Sequence, residues 1–240
     1  MTPAVPQTAT AEPIVSGSAV LSPLQELEVL LLTSHDTRIF DELQEFAKRH
    51  KKSQQAIFAT PGVLFSPPVY CDKARADGVW SEEDEFIVLQ GDIIFTDAAY
   101  LLGQRLEAGY FAVANATCDL MPGRRENAFL FRVPAIYAPT TPEETHTVKS
   151  RLGALLAFKS SQSMYLPPLP EDDPNIIARF VDFNTLAQAR AVAVGNATRF
   201  ASLGQIGWRI FGVHLHRLIA REGNGEADLR EAIFQATNTP

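Results

Sequence analysis

Cysteine is scarce in this chain of 240 residues: Cys71 and Cys118 are the only two, too few for a disulfide framework. Long hydrophobic runs are missing as well. The longest near the start, residues 29–32 (VLLL), falls far short of the roughly 20 residues a membrane helix needs, so no membrane span is expected. No basic segment followed by an apolar stretch opens the chain as a secretion signal would, and these absences together predict a cytoplasmic protein. Heptads and internal repeats are absent, which excludes a coiled coil or a solenoid. Neither G-x-G-x-x-G nor GK[ST] follows the apolar run at Gly91-Asp92, which reads as a turn or bulge and not as a phosphate cradle. Positive charge is in deficit, with 21 Lys and Arg against 28 Asp and Glu. The shortfall concentrates in residues 81–140, where Arg105, Arg124, Arg125 and Arg132 are the only cations. Such a segment repels a polyanion, so nucleic acid is expected only through a local basic patch.

What the chain does have is enough apolar residues, 46% of the total, to bury a core unaided. Residues 1–20 are Pro, Thr, Ala and Ser with few large apolar groups, so a flexible tail is expected there. Ser22-Pro23-Leu24-Gln25 is a capping box with Pro at the first helical position, opening a helix that runs to Leu32. After Asp36, Ile39, Phe40, Leu43, Phe46 and Ala47 form one stripe at helical period, and Lys48, Arg49, Lys51 and Lys52 favour the negative helix end. Pro61-Gly62 and Pro67-Pro68 forbid a long helix over 56–80 and predict edge strands or an extended arm. Three β-branched runs then follow between residues 86 and 137 (FIVLQGDIIF, YFAVANATCDL and AFLFRVPAIY). Residues 101–109 are expected to connect two of them through a turn of helix, and Pro122-Gly123 through a tight turn.

Thr141-Pro142-Glu143-Glu144 is the clearest helix start, with Val148, Leu152, Leu155 and Leu156 on the core side of a helix reaching about Phe158. Alternation over IIARFVDF predicts a strand with one polar face, another strand is expected near 198–203, and a last helix from Gly204 stops before Gly223-Asn224-Gly225. Strands and helices are segregated, with no βαβ alternation. The expected class is α+β: a small antiparallel or barrel-like sheet, an N-terminal helical pair and a C-terminal helix packed on the sheet. The organisation expected is a single domain over 21–240, with a helical lobe at 21–55, a β core at 56–140 and a helix-strand-helix lobe at 141–240.

Candidate chemistry gathers at the end of the middle run. Cys118 is a nucleophile if a base or a cation such as Arg124 or Arg125 promotes its thiolate, and a small buried apolar group if not; the sequence favours the second. Asp119 beside it either orients a partner, binds a cation or caps a turn; the sequence favours the last. His214 and His216 sit on a helical stripe, where residues two apart diverge, so one is expected in the core and the other near solvent, with no metal site and no cofactor. Arg209, Arg217 and Arg221 of the last helix form a basic edge that either meets an acidic or phosphate-bearing partner or remains a solvated face; Arg199, Arg124 and Arg125 are compared with it as anion ligands. Trp208 is an interface anchor or a core residue.

Gly91-Asp92-Ile93 opening one strand, Ala112-Val113-x-Asn115 in the next and Val133-Pro134-Ala135-Ile136 ending a third resemble the small SH3-like barrel of the MazF/PemK toxins over residues 86–137. That resemblance implies a bacterial endoribonuclease that works without a metal, through a basic and a hydroxyl group near the barrel mouth. Glu107-Ala108-Gly109 stands where the family has Arg-Arg-Pro, and Arg124-Arg125 comes one strand later. The expected function is a non-enzymatic regulatory or scaffold role, binding a protein partner or a second copy. The metal-independent endoribonuclease and a Cys-dependent hydrolase are the alternatives.

Overall fold

The computed structural model describes residues 21–33, 38–70, 76, 88–121 and 123–219. The expected tail at 1–20, Cys71, Arg221 and the helix stop at 223–225 lie outside these residues. Within them the fold is α+β, with one ten-stranded antiparallel sheet and six α-helices.

The N-terminal helical pair is α1 (Pro23–Thr33) and α2 (Ile39–Arg49). The capping box closes α1 as its residue types demand: the Gln25 N–H donates to Ser22 Oγ at 3.3 Å, and the Ser22 N–H donates to Gln25 Oε1 at 3.0 Å. All five residues of the α2 stripe are buried. A short α3 (Gln54–Ala59) stops before Pro61, which lacks the N–H a helix would use, and Gly62, at φ +84°.

The strands are β1 (Phe65–Ser66), β2 (Ile93–Thr96), β3 (Tyr100–Leu101), β4 (Gln104–Arg105), β5 (Gly109–Val113), β6 (Asn127–Arg132), β7 (Ala135–Tyr137), β8 (Ser163–Leu166), β9 (Ile176–Arg190) and β10 (Thr198–Leu203). Between them run α4 (Pro142–Leu156) and α5 (Ala191–Gly195), and α6 (Gln205–Ile219) follows β10. The sheet order is β1-β10-β2-β5-β6-β9-β3-β4, with β7 and β8 also paired to β9. Residues 97–99 alone join β2 to β3, although β5, β6 and β9 lie between those strands, so the sheet curls strongly without closing.

Each face of the curl has its own core. Ile94, Phe111, Val113, Ala128, Leu130, Ala187 and Ala189 pack inside with Ala99 of the β2–β3 link, and Val88, Leu120 and Val194 complete this cluster. Four of these residues are alanines, whose small side chains let the packed elements approach closely. The other face presents Ile93, Ala112, Phe131 and Phe183 to a larger core with residues of α1, α2 and α6. Helix α6 approaches closely because Gly207 lies against the Leu64 carbonyl, where a Cβ would overlap backbone.

Several expectations change. Residues 101–109 hold no helical turn: Leu102 (φ +50°) and Gly103 (φ +81°) make the two-residue turn of the β3–β4 hairpin, whose left-handed backbone matches strand twist. Residues 163–166, where no strand is expected, pair with β9 as a strand. The polar face expected of IIARFVDF is not exposed, because β9 is flanked by β7 and β8 there and buries Arg179. Finally, β5 ends at Val113, and Cys118-Asp119 lie beyond it on a 3₁₀ turn (Thr117–Leu120).

Candidate binding groove

Beyond Asn184, the second half of β9 alternates cleanly: Ala187 and Ala189 are buried, while Leu186, Gln188 and Arg190 are exposed. Strand β6 does the same, with Ala128 and Leu130 inward and Asn127, Phe129 and Phe131 on the α6 side. Helix α6 covers Phe131 and Phe183 but stops short of Phe129 and Leu186, which are 39% and 44% exposed. The result is a groove of about 490 Å³. Phe129, Phe131 and Leu186 form its floor, Leu215, Leu218 and Ile219 its α6 wall, and Gln90, Asn115, Asp119, Arg125 and Asn127 its polar rim.

Local bonds fix the rim. Gly91 turns the chain ahead of β2 at φ +86°, and a Cβ there would strike Leu203. The turn is closed by the Asp92 N–H donating to the Leu89 carbonyl at 3.0 Å, while Asp92 Oδ2 accepts from the Leu89 N–H at 2.9 Å. Gln90 then joins three segments. Its N–H donates to Thr117 Oγ1 at 3.0 Å, its amide nitrogen donates to the Ala114 carbonyl at 2.8 Å, and its Oε1 accepts from the Trp208 indole at 3.0 Å. Through its backbone N–H and its side chain, Gln90 thus ties the 3₁₀ turn and α6 together at the rim of the groove. Asn115 Oδ1 accepts from the Phe129 N–H where β5 no longer pairs with β6.

The residues singled out from sequence are only partly assembled here. Asp119 and Arg125 come together at the rim, 3.6 Å apart. Cys118 neighbours them but does not line the groove, and it is exposed instead of buried, because Leu120, not Cys118, is the residue of the 3₁₀ turn that enters the core. Among the described residues, no histidine lines the groove to act as its base. Arg124 is exposed just outside. Trp208 is half-exposed and lies with Arg209 on a separate cleft of about 340 Å³ against Leu31, Leu32 and Ile39. Arg209 is spent on the end of α1, donating to the Leu31 carbonyl at 3.2 Å. Arg217 lies 4.4 Å over the Phe40 ring, so the two do not share one basic edge. Gln90, Asn127, Phe129, Leu186 and the Leu215/Leu218/Ile219 wall went unnoticed in sequence; the exposed Phe in NAFLFR, out of phase with the core, was the signal available.

The remaining polar groups of interest are internal. Arg199 holds Asp92 at 3.3 Å, donates to the Val69 carbonyl and lies under Tyr70, so it is not free for an anion. Burial raises the Asp92 pKa, against the lowering effect of Ser202, the Leu89 N–H and Arg199. His214 is fully buried, stacked on Phe183, with its Nδ1–H donating to the Ser161 carbonyl at 2.8 Å; burial pushes its pKa down to about 4. His216 is exposed, so the expected division of the pair holds. Among the described residues, no cluster of three or more His, Cys, Asp or Glu is arranged to hold a metal ion, and no helix is long and apolar enough to cross a membrane. No protein-family model matches the chain, and neither a curated protein nor a solved structure matches it significantly.

Proposed function

We propose that this chain is a non-enzymatic, cytoplasmic regulatory or scaffold protein that binds another macromolecule in the groove between α6 and strands β6 and β9. One observation carries this proposal: a contiguous apolar surface, Phe129, Leu186 and Ile219, left uncovered beside a fully built core and ringed by polar groups. Such a core-and-rim arrangement is the usual anatomy of an interface. The exposed, unpaired Cys118 suits a reducing compartment. Capture of partners from the host by the native chain and by Phe129→Glu, Ile219→Glu and Cys118→Ala variants tests the proposal. Loss of at least about tenfold in the two groove variants, with the thiol variant unchanged, supports it. Loss in Cys118→Ala alone, with alkylation of Cys118 near neutral pH, supports a thiol hydrolase instead.

A metal-independent endoribonuclease of the MazF/PemK kind is the second reading, favoured by the exposure of Arg124 and Arg125 beside the groove. It requires RNA cleavage without added metal and its loss when both arginines are replaced.

A further inference from the structure

Whatever fills the groove must meet the hydrogen-bonding state of its floor. At the groove floor, strand β6 has neighbours on both sides. On one side it pairs with β9 from Asn127 to Arg132. On the other it pairs with β5, and where β5 ends, the Phe129 N–H is taken by Asn115 and the Phe129 carbonyl by the Ala114 N–H at 2.9 Å. An extended segment laid over Phe129 would find that residue's backbone groups already taken, and any N–H or C=O it buried there would go unpaired, at about 1–3 kcal/mol each. An α-helix satisfies its backbone internally and escapes that cost.

The wall makes the same demand. Leu215, Leu218 and Ile219 stand at i, i+3 and i+4 on α6, the stripe one helix offers to another. The sheet beside them carries Phe129 and Leu186, with exposed Tyr100 opposite Gln188 in the next strand. A second helix lying alongside α6 on this face would extend the helical layer over the sheet. The rim adds charge of both signs, since Asp119 and Arg125 are exposed and 3.6 Å apart, able to exchange their mutual contact for partners of opposite charge.

We infer that the occupant of the groove is an amphipathic α-helix of a partner protein. Its apolar residues fall at i, i+3, i+4 and i+7 on Phe129, Leu186 and the α6 wall, and its flanks carry a basic group for Asp119 and an acidic group for Arg125. This inference rests on the proposed binding role of the groove and specifies the form of the partner.

The test places a photo-crosslinking residue in the full chain, Ile219→p-benzoylphenylalanine, with Val192→p-benzoylphenylalanine as an exposed control outside the groove's lining residues. Crosslinked host peptides are sequenced, and the peptide is synthesised for binding to the native chain. Expected is a protein segment of helical apolar period that gains helicity on binding and loses at least about tenfold in affinity to Phe129→Glu. A segment alternating with period two, or binding without a gain in helicity, overturns the helix. So does a crosslink to nucleic acid, to a second copy or within residues 221–240 of the same chain. No crosslink beyond the Val192 control overturns the binding role as well, whereas a crosslinked partner of another form removes only the helix.

Discussion

Two arginine–aspartate pairs of this molecule stand in contrast. Arg179 and Asp172 are buried, at 5% and 3% exposure, while Arg125 and Asp119 on the groove rim are 62% and 39% exposed. The inner pair is saturated. Arg179 Nε donates to Asp172 Oδ2 at 2.7 Å, a second nitrogen to Oδ1 at 2.5 Å and a third to the Val133 carbonyl at 3.1 Å, and the guanidinium lies 4.1 Å over Tyr110. The outer pair touches at 3.6 Å and water competes for both members. Burial therefore commits one pair to holding the β7–β9 region in place. Exposure leaves the other available to a partner.

Substitutions separate the two roles, and the largest effect lies inside. Arg179→Ala leaves Asp172 buried without its cation and is expected to cost about 3–5 kcal/mol, read by urea unfolding. A cost under about 1 kcal/mol would break the comparison, because the inner pair would then behave like a surface one.

Acid sharpens it next. The folded-state pKa of His214, about 4, lies below its ordinary 6.5, so between these values the unfolded chain binds the proton that the folded chain refuses. This contribution is fully present above pH 6.5 and is lost as pH falls toward 4, by about 3 kcal/mol from the shift. Unfolding midpoints from pH 7 to 4 check this, and His214→Phe should flatten the slope. A smaller loss is expected at an exposed polar group whose partner is backbone. Thr141 Oγ1 accepts from the Glu144 N–H at 3.2 Å, and Thr141→Ala should cost about 1 kcal/mol in thermal unfolding. Smallest of all, Arg125→Ala should change stability by no more than about 0.5 kcal/mol while weakening partner capture.

The same contrast explains what was legible in the sequence. Local signals were read well: the Ser22 and Thr141 caps, the α2 stripe and the β10 strand each depend on residues within one or two turns of one another. The 15-residue β9 was only half seen, because its apolar Phe180 and charged Arg179 are both buried by strands far away in sequence. Leu102 is a poor turn residue by type, so its hairpin hid behind a reading as a helical connection. The groove was least legible. It draws on the turn before β2, the 3₁₀ turn, β6, β9 and the end of α6, and what defines it is the exposure of Phe129 and Leu186 among the described residues, which no local pattern encodes.

Partner capture and urea unfolding measured on the same Phe129→Glu protein give the most direct test of the groove as the working surface. Capture should fall by at least about tenfold while the unfolding free energy stays within about 1 kcal/mol of the native chain. A folded Phe129→Glu protein that captures its partner undiminished would contradict it.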